Sequence, residues 1–552
     1  MRKLILAVGL SLAGLVTTVS AAEARFDPAR LSAHIKVLAS DAFEGRGPAT
    51  AGEVKTVAYI TEQFKAAGLQ PAGDPLPSGG RAWTQDVPLA RFEIRGPVAV
   101  GVTAGGAAET WTQGNEVALR AAATGADRVA IKDAPMVFVG YGVTAPERNW
   151  DDFKGVDLKG KVALVLVNDP DFETGVGDFG GKAMTYYGRW TYKYEEAARR
   201  GATGLLVIHE TAPASYGWAT VKNSNTISIF DIIREDPAKA HVPLEGWIQR
   251  DAAISLFRKA GLGFAALKQQ ARSRDFRPVA LSGVTFSADY AVDVARIVSK
   301  NVIGVVPGVQ RPDERVVYTA HWDHLGVGPP DAMGDTIYNG AVDNGDGVAS
   351  LIELGRAFAK APRPKRSVMF LAVTAEEKGL LGSEYYAAHP LYPLATTVAD
   401  LNMDALSVGG PARDFSTSGD APLTLQDDLA AVGRTLGRTY SPEPQPEAGR
   451  FFRSDHFPFA KVGVPAISFK SGEDLVKGGR AAGEAAGKDY VTNRYHQPAD
   501  EWRADWDLTG LAADLTLLYD LGAKLANSAE WPSWKPGSEF KAERDKTADA
   551  RK

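Results

Sequence analysis

The residues best able to do chemistry lie in the carboxyl-terminal half. An apolar run over 316–320 ends in His321-Trp322-Asp323-His324. Some twenty residues on, Asn339-Gly340-Ala341-Val342-Asp343-Asn344-Gly345 reads as a turn entering a helix with Val348, Leu351, Ile352 and Phe358 on one face. A second apolar run, 368–374, leads into Ala375-Glu376-Glu377, and a third, 398–402, into Met403-Asp404. Tyr495-His496 comes much later, inside 493–500. Singly, each has an ordinary reading as a turn, a solvated acidic pair or a surface or core histidine. In order, each at a strand or helix junction, they are poorly explained that way. Two histidines with three carboxylates suit a hard-to-borderline pair of divalent ions, most naturally zinc. One carboxylate bridging two ions ~3.5–4 Å apart leaves each ion a histidine, a second carboxylate and a shared water. The expected division is His321 and Asp404 on one ion, Glu377 and His496 on the other, and Asp343 between them. Glu376 is left over to face the water as general base.

These residues need a frame. From about residue 300 onwards, apolar strand, loop and amphipathic helix alternate, which predicts a doubly wound α/β sheet. Such sheets build their sites from loops at the carboxyl ends of strands, where His321, Glu376, Glu377 and Asp404 all stand. Upstream, Leu31, Ile35 and Leu38 make one amphipathic pattern, and Val54, Val57, Ile60 and Phe64 a second that stops at Gly68. Between about 95 and 290 the texture turns to short β-like runs with one helix around 194–200, which reads as an inserted module. The last long helix is expected over about 509–527. The tail from Trp531 is polar and expected to be loose.

Composition narrows the function further. At 552 residues the chain exceeds what one core usually serves. A formal charge of −5 gives no electrostatic reason to expect nucleic acid. With no cysteine, thiol catalysis, disulfides and thiolate-held zinc are excluded, so any metal depends on carboxylates and the eight histidines. Arg2 and Lys3 precede an apolar run over 4–19 and small residues at 19–24, which predicts a cleaved export signal over 1–22 and a periplasmic or secreted protein. No lipid-bearing cysteine follows, and no later run is apolar enough to span a bilayer. Gly140-Tyr141-Gly142-Val143-Thr144-Ala145, Gly175-Val176-Gly177-Asp178-Phe179-Gly180 and the glycines around Lys161 mimic nucleotide loops. They lack the helix, the strand or the Ser/Thr that those loops need.

The metal-type residues resemble the co-catalytic zinc aminopeptidase family, metallopeptidase family twenty-eight. The resemblance rests on His321-x-Asp323, 340–344, Glu376-Glu377 followed by 379–383, Asn402-Met403-Asp404 and Tyr495-His496. Ser40-Asp41 with Glu44-Gly45-Arg46 resembles the family's amino-terminal loop, and Ser454-Asp455-His456 its pocket segment. Residues 157–163 and 201–204 look like the protease-associated domain that several members carry. The resemblance implies a zinc-peptidase fold, a mixed and mainly parallel sheet, over 25–100 and 295–530. It implies a β-rich protease-associated insertion over 115–290 and a polar tail over 531–552. It also implies that Asp323 orients the His321 imidazole and that Asp455, His456 and Tyr495 line the substrate pocket, a structural hydrogen-bonded pair being the alternative for Asp455 and His456. His324 is expected in the pocket wall, and His34, His209, His241 and His389 are expected to be structural. The implied activity is hydrolysis of peptides with a free amino terminus, with no nucleic-acid or membrane partner after signal cleavage and an oligomeric state left open. A glutamate-carboxypeptidase-like dipeptidase shares the ligand set and would need a basic pocket, for which Arg450, Arg453 and Arg494 are available. A glutaminyl cyclotransferase or a non-catalytic binding protein fits the complete residue set less well.

Overall fold

The computed structural model describes residues 25–226 and 228–551. The expected export signal over 1–22 lies outside the described residues. Strands β1 (Thr84–Ala104), β2 (Val279–Val306), β3 (Arg311–His321), β4 (Arg366–Val373), β5 (Thr397–Met403), β6 (Asp414–Thr417) and β7 (Ala466–Ser471) frame the metal-type residues. They lie in the order β6-β7-β5-β3-β4-β2, with β1 paired to β2. The four central strands, β7, β5, β3 and β4, are mutually parallel. Antiparallel β2 and β6 flank them, so the sheet is mixed and mainly parallel. Every residue of β4 and β5 is buried, the signature of parallel strands covered on both faces. The covering helices are α1 (Pro28–Leu38), α2 (Ala51–Ala67), α3 (Asp346–Lys360) and α5 (Thr509–Asn527), while α4 (Gly479–Asn493) lies mostly exposed. Helix α3 packs on α1, α2 and strands β2 to β5. Helix α2 stops at Gly68, whose φ of 90° sits in the left-handed region that glycine adopts cheaply.

One apolar core draws on residues 26–72 and 302–540, joined by Met184. Others form within 90–292 and 118–247. In that stretch Arg128–Phe138, Val162–Leu166, Gly204–His209 and Leu244–Gln249 pair in parallel, one beside the next. β2, 28 residues long, pairs with β4 near its carboxyl end and with Arg128–Phe138 near its start. A single sheet therefore runs through all three cores. Helices Trp218–Asn225, Arg250–Lys259 and Phe264–Gln270 accompany Trp190–Arg199, where the sequence pattern suggested one helix. All are short, and Arg250–Lys259 is capped by a residue type outside the usual capping set: the Gln249 side chain accepts from Asp251 and Ala252 amides. Among the described residues no helix is long and apolar enough to cross a membrane.

The segment after Trp531 differs from the loose tail expected of it. Trp534 and Phe540 are buried in the main core, and Trp534 Nε1 donates to Gly463 O at 2.9 Å. Arg544 Nη2 donates to Thr397 O at 2.8 Å, at the start of β5. Isolated aromatics between charged residues carry no periodicity to betray such docking.

Candidate metal centre

Because β5, β3 and β4 are neighbouring parallel strands, their carboxyl ends share one rim. His321 is the last residue of β3, Asp404 follows β5, and Glu376 and Glu377 follow β4 by a short turn. Asp343 reaches this rim from the wide turn Ala341–Gly345 that enters α3, and His496 from the loop after α4. Asp343 is the meeting point. Its Oδ1 lies 3.2 Å from His321 Nε2, and its Oδ2 lies 3.3 Å from His496 Nε2. Asp404 Oδ1 completes the first group at 3.3 Å from His321 Nε2, and Glu377 Oε2 the second at 3.1 Å from His496 Nε2. All the sequence-derived candidates for metal ligation thus converge, with Asp343 shared.

The surroundings set their protonation. His321 Nδ1 faces the Asp323 carbonyl oxygen at 3.0 Å, which directs Nε2 to the carboxylates. Burial opposes ionising Asp343, yet hydrogen bonds from His321 and His496 hold it well below the usual carboxylate range. Glu377 is likewise desolvated and repelled by Asp343, but His324 and His496 bring it down to about 2. His496 loses solvation and is pushed up to about 10 by the same two carboxylates. Such a site draws positive charge toward each shared histidine–carboxylate contact. This donor set fits a divalent pair: nitrogen and oxygen ligands only, with His321, Asp343 and Asp404 offering atoms within 4.8 Å of one another. Metal uptake there means displacing protons.

Residues 301–519 match Peptidase family M28. They form an M28 domain. Aminopeptidase YwaD of Bacillus subtilis is 37% identical over 181 residues, 32% of this chain and 36% of that protein. A probable zinc metalloprotease of Pyrenophora teres f. teres is 35% identical over 155 residues, 25% of this chain and 33% of that one. The chain spans between 33% and 46% of the length of the first such relatives. A solved aminopeptidase from Aneurinibacillus sp. strain AM-1 is 20% identical, covers 92% of this chain and 96% of its own, and superposes with a TM-score of 0.49.

Within the M28 domain, the remaining candidates fall in different places. Glu376 Oε2 stands 4.0 Å from His321 Nε2, with its side chain 12% exposed at the rim. The Asp323 carboxylate is fully buried and accepts the Glu376 amide at 3.0 Å and the Glu377 amide at 3.4 Å. It lies 3.8 Å from His321 Nδ1, so the backbone carbonyl of Asp323 makes the closer imidazole contact and its carboxylate holds the acidic pair. Burial raises Asp323 to about 6. Tyr495 stacks on His496 with ring centroids 3.9 Å apart and lines a cavity of about 1010 Å³ beside the centre. Asp455 and His456 are buried behind that cavity and are not among its lining residues. Asp455 accepts from Ser383 Oγ at 2.6 Å, and His456 packs edge-on against Phe451. His34, His209 and His241 bond within their own surroundings, to Tyr59, Tyr216 and the Asp231–Glu245 pair.

Three residues were not assigned these positions from sequence. His324 is not a wall residue: it is fully buried, with Nδ1 2.6 Å from Glu377 Oε1, and it clusters with Asp343 and Glu377. Asp500 accepts the amides of Val342 and Asp343, tying the His496 loop to the Asp343 turn. Arg46, fully buried, donates to carbonyls of Leu38, Trp322, Asn339 and Gly340 at 2.6–2.8 Å. It clamps the amino-terminal loop onto both the His321 and Asp343 loops. Burial pushes this guanidinium down to about 10 against the pull of Asp500 and Asp343. The sequence signal was the motifs that hold them, Glu44-Gly45-Arg46 for Arg46 and the span 493–500 for Asp500, with no indication of what their side chains touch.

Proposed function

We propose that this chain is an exported two-metal aminopeptidase that hydrolyses the amino-terminal bond of peptides. The observation carrying the reading is Asp343, whose two oxygens face two different histidine–carboxylate pairs. His321, Asp404 and Asp343 would hold one divalent ion, and His496, Glu377 and Asp343 the other, zinc being the natural occupant of such N/O sites. When bound, the ions supply Lewis acidity that polarises the scissile carbonyl and acidifies a shared water. Glu376 takes the proton of the attacking water and returns it to the leaving amide nitrogen as the C–N bond breaks. Asp323, by accepting the Glu376 and Glu377 amides, holds the turn that carries base and ligand. The carboxylate-rich rim attracts the cationic amino terminus of the substrate. Residues 115–290 are read as an inserted protease-associated domain, and the leader over 1–22 as the export signal.

Glu376→Gln is expected to keep both metals while turnover falls by at least 10²-fold, the scale of general-base catalysis. An active variant removes Glu376 from that role. Aminoacyl anilides should be cleaved, amino-terminally blocked peptides spared, and activity lost to a chelator and restored by zinc. Cleavage of blocked peptides at equal rate overturns the exopeptidase reading, and one ion per fully active chain overturns the two-metal reading.

A further inference from the structure

The turn that carries Glu376 and Glu377 has a backbone that packing must enforce. Ala375, immediately before the pair, has φ 53°, and Leu380, which precedes the helix Leu381–Ala388, has φ 63°. Both lie in the left-handed region, which a residue with a β-carbon occupies only at a cost. Such residues persist where their surroundings over-determine them. Part of the restraint is polar and local. The Asp323 carboxylate accepts the Glu376 and Glu377 amides, and within the turn Leu380 N donates to Glu376 O at 2.9 Å and Leu381 N to Ala375 O at 3.0 Å. The side chains at its two ends are held from farther away.

Ala375 and Leu381 are buried in a small apolar cluster, apart from the three cores, with Val87, Leu89 and Ile232. Val87 and Leu89 belong to β1, whereas Ile232 comes from the stretch between β1 and β2. It ends the short strand Ile229–Ile232, which pairs antiparallel with β1 and sets Ile232 opposite Leu89. The helix Leu381–Ala388 lies against that strand. Two neighbours extend the grip. The Phe230 ring stands 5.9 Å from Nζ of Lys378, the residue after Glu377. Arg234 reaches Glu384 at 3.6 Å and is itself oriented by Asp231, to which it donates at 2.8 and 2.9 Å. One short segment, 229–234, thus meets this turn at its start, in its middle and on the helix after it. Neither Ile232 nor Arg234 lines the cavity beside the centre. We infer that Ile232 and Arg234 are positioning residues, through which the stretch between β1 and β2 clamps the Glu376–Glu377 turn and sets where both carboxylates point. Ile232 closes the apolar cluster around Ala375, and Arg234 holds the helix that follows. Without them Ala375 is free to leave the left-handed region, and a change of φ immediately before the pair re-aims base and ligand together. The inference rests on the roles read above for Glu376 and Glu377 and gives the stretch between β1 and β2 a part in the reaction.

The test is amide hydrogen exchange, followed by mass spectrometry, on full-length zinc-loaded protein and its Ile232→Ala and Arg234→Met variants. Ile232→Ala should speed exchange over 374–381 by about tenfold or more, the scale of a large-to-small change in a packed cluster. Arg234→Met should speed it by about two- to threefold, since the ion pair is partly exposed. Ile232→Val, which keeps most of the side chain, should stay close to the unsubstituted protein. Strands Gly204–His209 and Arg311–His321 should exchange as before. For an aminoacyl anilide, kcat of Ile232→Ala should fall about tenfold with KM unchanged, the mark of a misplaced catalytic group. If Ile232→Ala does not fold, the comparison is made on Arg234→Met. Unaltered exchange over 374–381, acceleration spread equally over 204–209, or a change in KM alone overturns the proposal. The exchange comparison needs no substrate, so it stands or falls apart from the aminopeptidase reading. Cleavage of the anilide by the unsubstituted protein reports on that reading.

Discussion

Two histidines in this chain have opposite fates. His324 is buried under Glu377, and its 2.6 Å approach to Oε1 leaves Oε2 to face His496. On the two-metal reading, His324 positions Glu377. His324→Asn should weaken the ion shared by Glu377 and His496 by about tenfold, the usual cost of removing a partner that orients a metal ligand. Zinc content after dialysis against graded chelator measures it, and wild-type retention of both ions would sink the idea. His456, by contrast, has no carboxylate within 4.0 Å of either ring nitrogen among the described residues and is pushed down to about 3 by burial. Below pH 6.5 the unfolded chain binds a proton here that the folded chain refuses until about pH 3. The contribution to stability is therefore intact above 6.5 and lost as pH falls across that interval, by up to about 1.4 kcal/mol per pH unit. His456→Leu should make acid unfolding of the metal-free protein less steep. Identical acid curves for the two proteins would show that His456 is not kept neutral.

At the scale of elements, the site depends on turns as much as on strand ends. The turn before α3 must bring Asp343 over the rim, and Gly340 makes the bend with φ 56°. A β-carbon at this position would meet Asp343 O at 2.2 Å and His324 Cδ2 at 2.6 Å. Both atoms belong to the centre, so the strain cannot be relieved without moving it. Gly340→Ala should cost about 1–2 kcal/mol for the left-handed backbone alone and, through displacement of Asp343, lower bound zinc below one equivalent. Circular dichroism would show the fold retained, whereas full zinc content would refute the displacement. Arg46 and Asp500 secure the same turn from two sides, one on its carbonyls and one on its amides. A wide, irregular turn has few hydrogen bonds of its own, and these two side chains supply the missing partners.

For the whole molecule, the long strands β1 and β2 join the main core and the cores of the 90–292 stretch in one sheet. Contacts between the cores are polar as well as apolar: Lys461 pairs with Glu195 at 3.0 Å and Arg234 with Glu384 at 3.6 Å. The terminal segment adds a further tie, since Glu539 accepts the Tyr186 amide at 3.1 Å while Phe540 fills the main core. Trp534→Ala should cost about 3 kcal/mol in urea unfolding, the scale of deleting a buried aromatic. A loss below about 0.5 kcal/mol would return this segment to the status of a loose tail.

How much was legible follows from how local each signal is. Parallel strands buried on both faces announce themselves as apolar runs, so β3, β4 and β5 and the residues at their ends could be read directly. The convergence of His321, Glu377 and Asp404 followed from the rule that open α/β sheets place such ends on one rim, whereas Asp343 and His496 reach it from a helix-entry turn and a late loop. What the chain order could not convey was side-chain direction. Asp455 and His456 share a motif with Ser454 but face inward, His324 sits beneath Glu377 and not in the cavity wall, and the Asp323 carboxylate bonds amides in preference to the imidazole. Periodicity specifies which face is buried, whereas partners hundreds of residues away decide what a polar group inside that face touches. The amino-acid sequence alone therefore determined the donor set and the sheet that presents it. Only the tertiary structure decided the clamps, Arg46 and Asp500, and the gathering of Ile232 with Ala375 and Leu381 in one apolar cluster, because those contacts exist only after the chain has closed on itself.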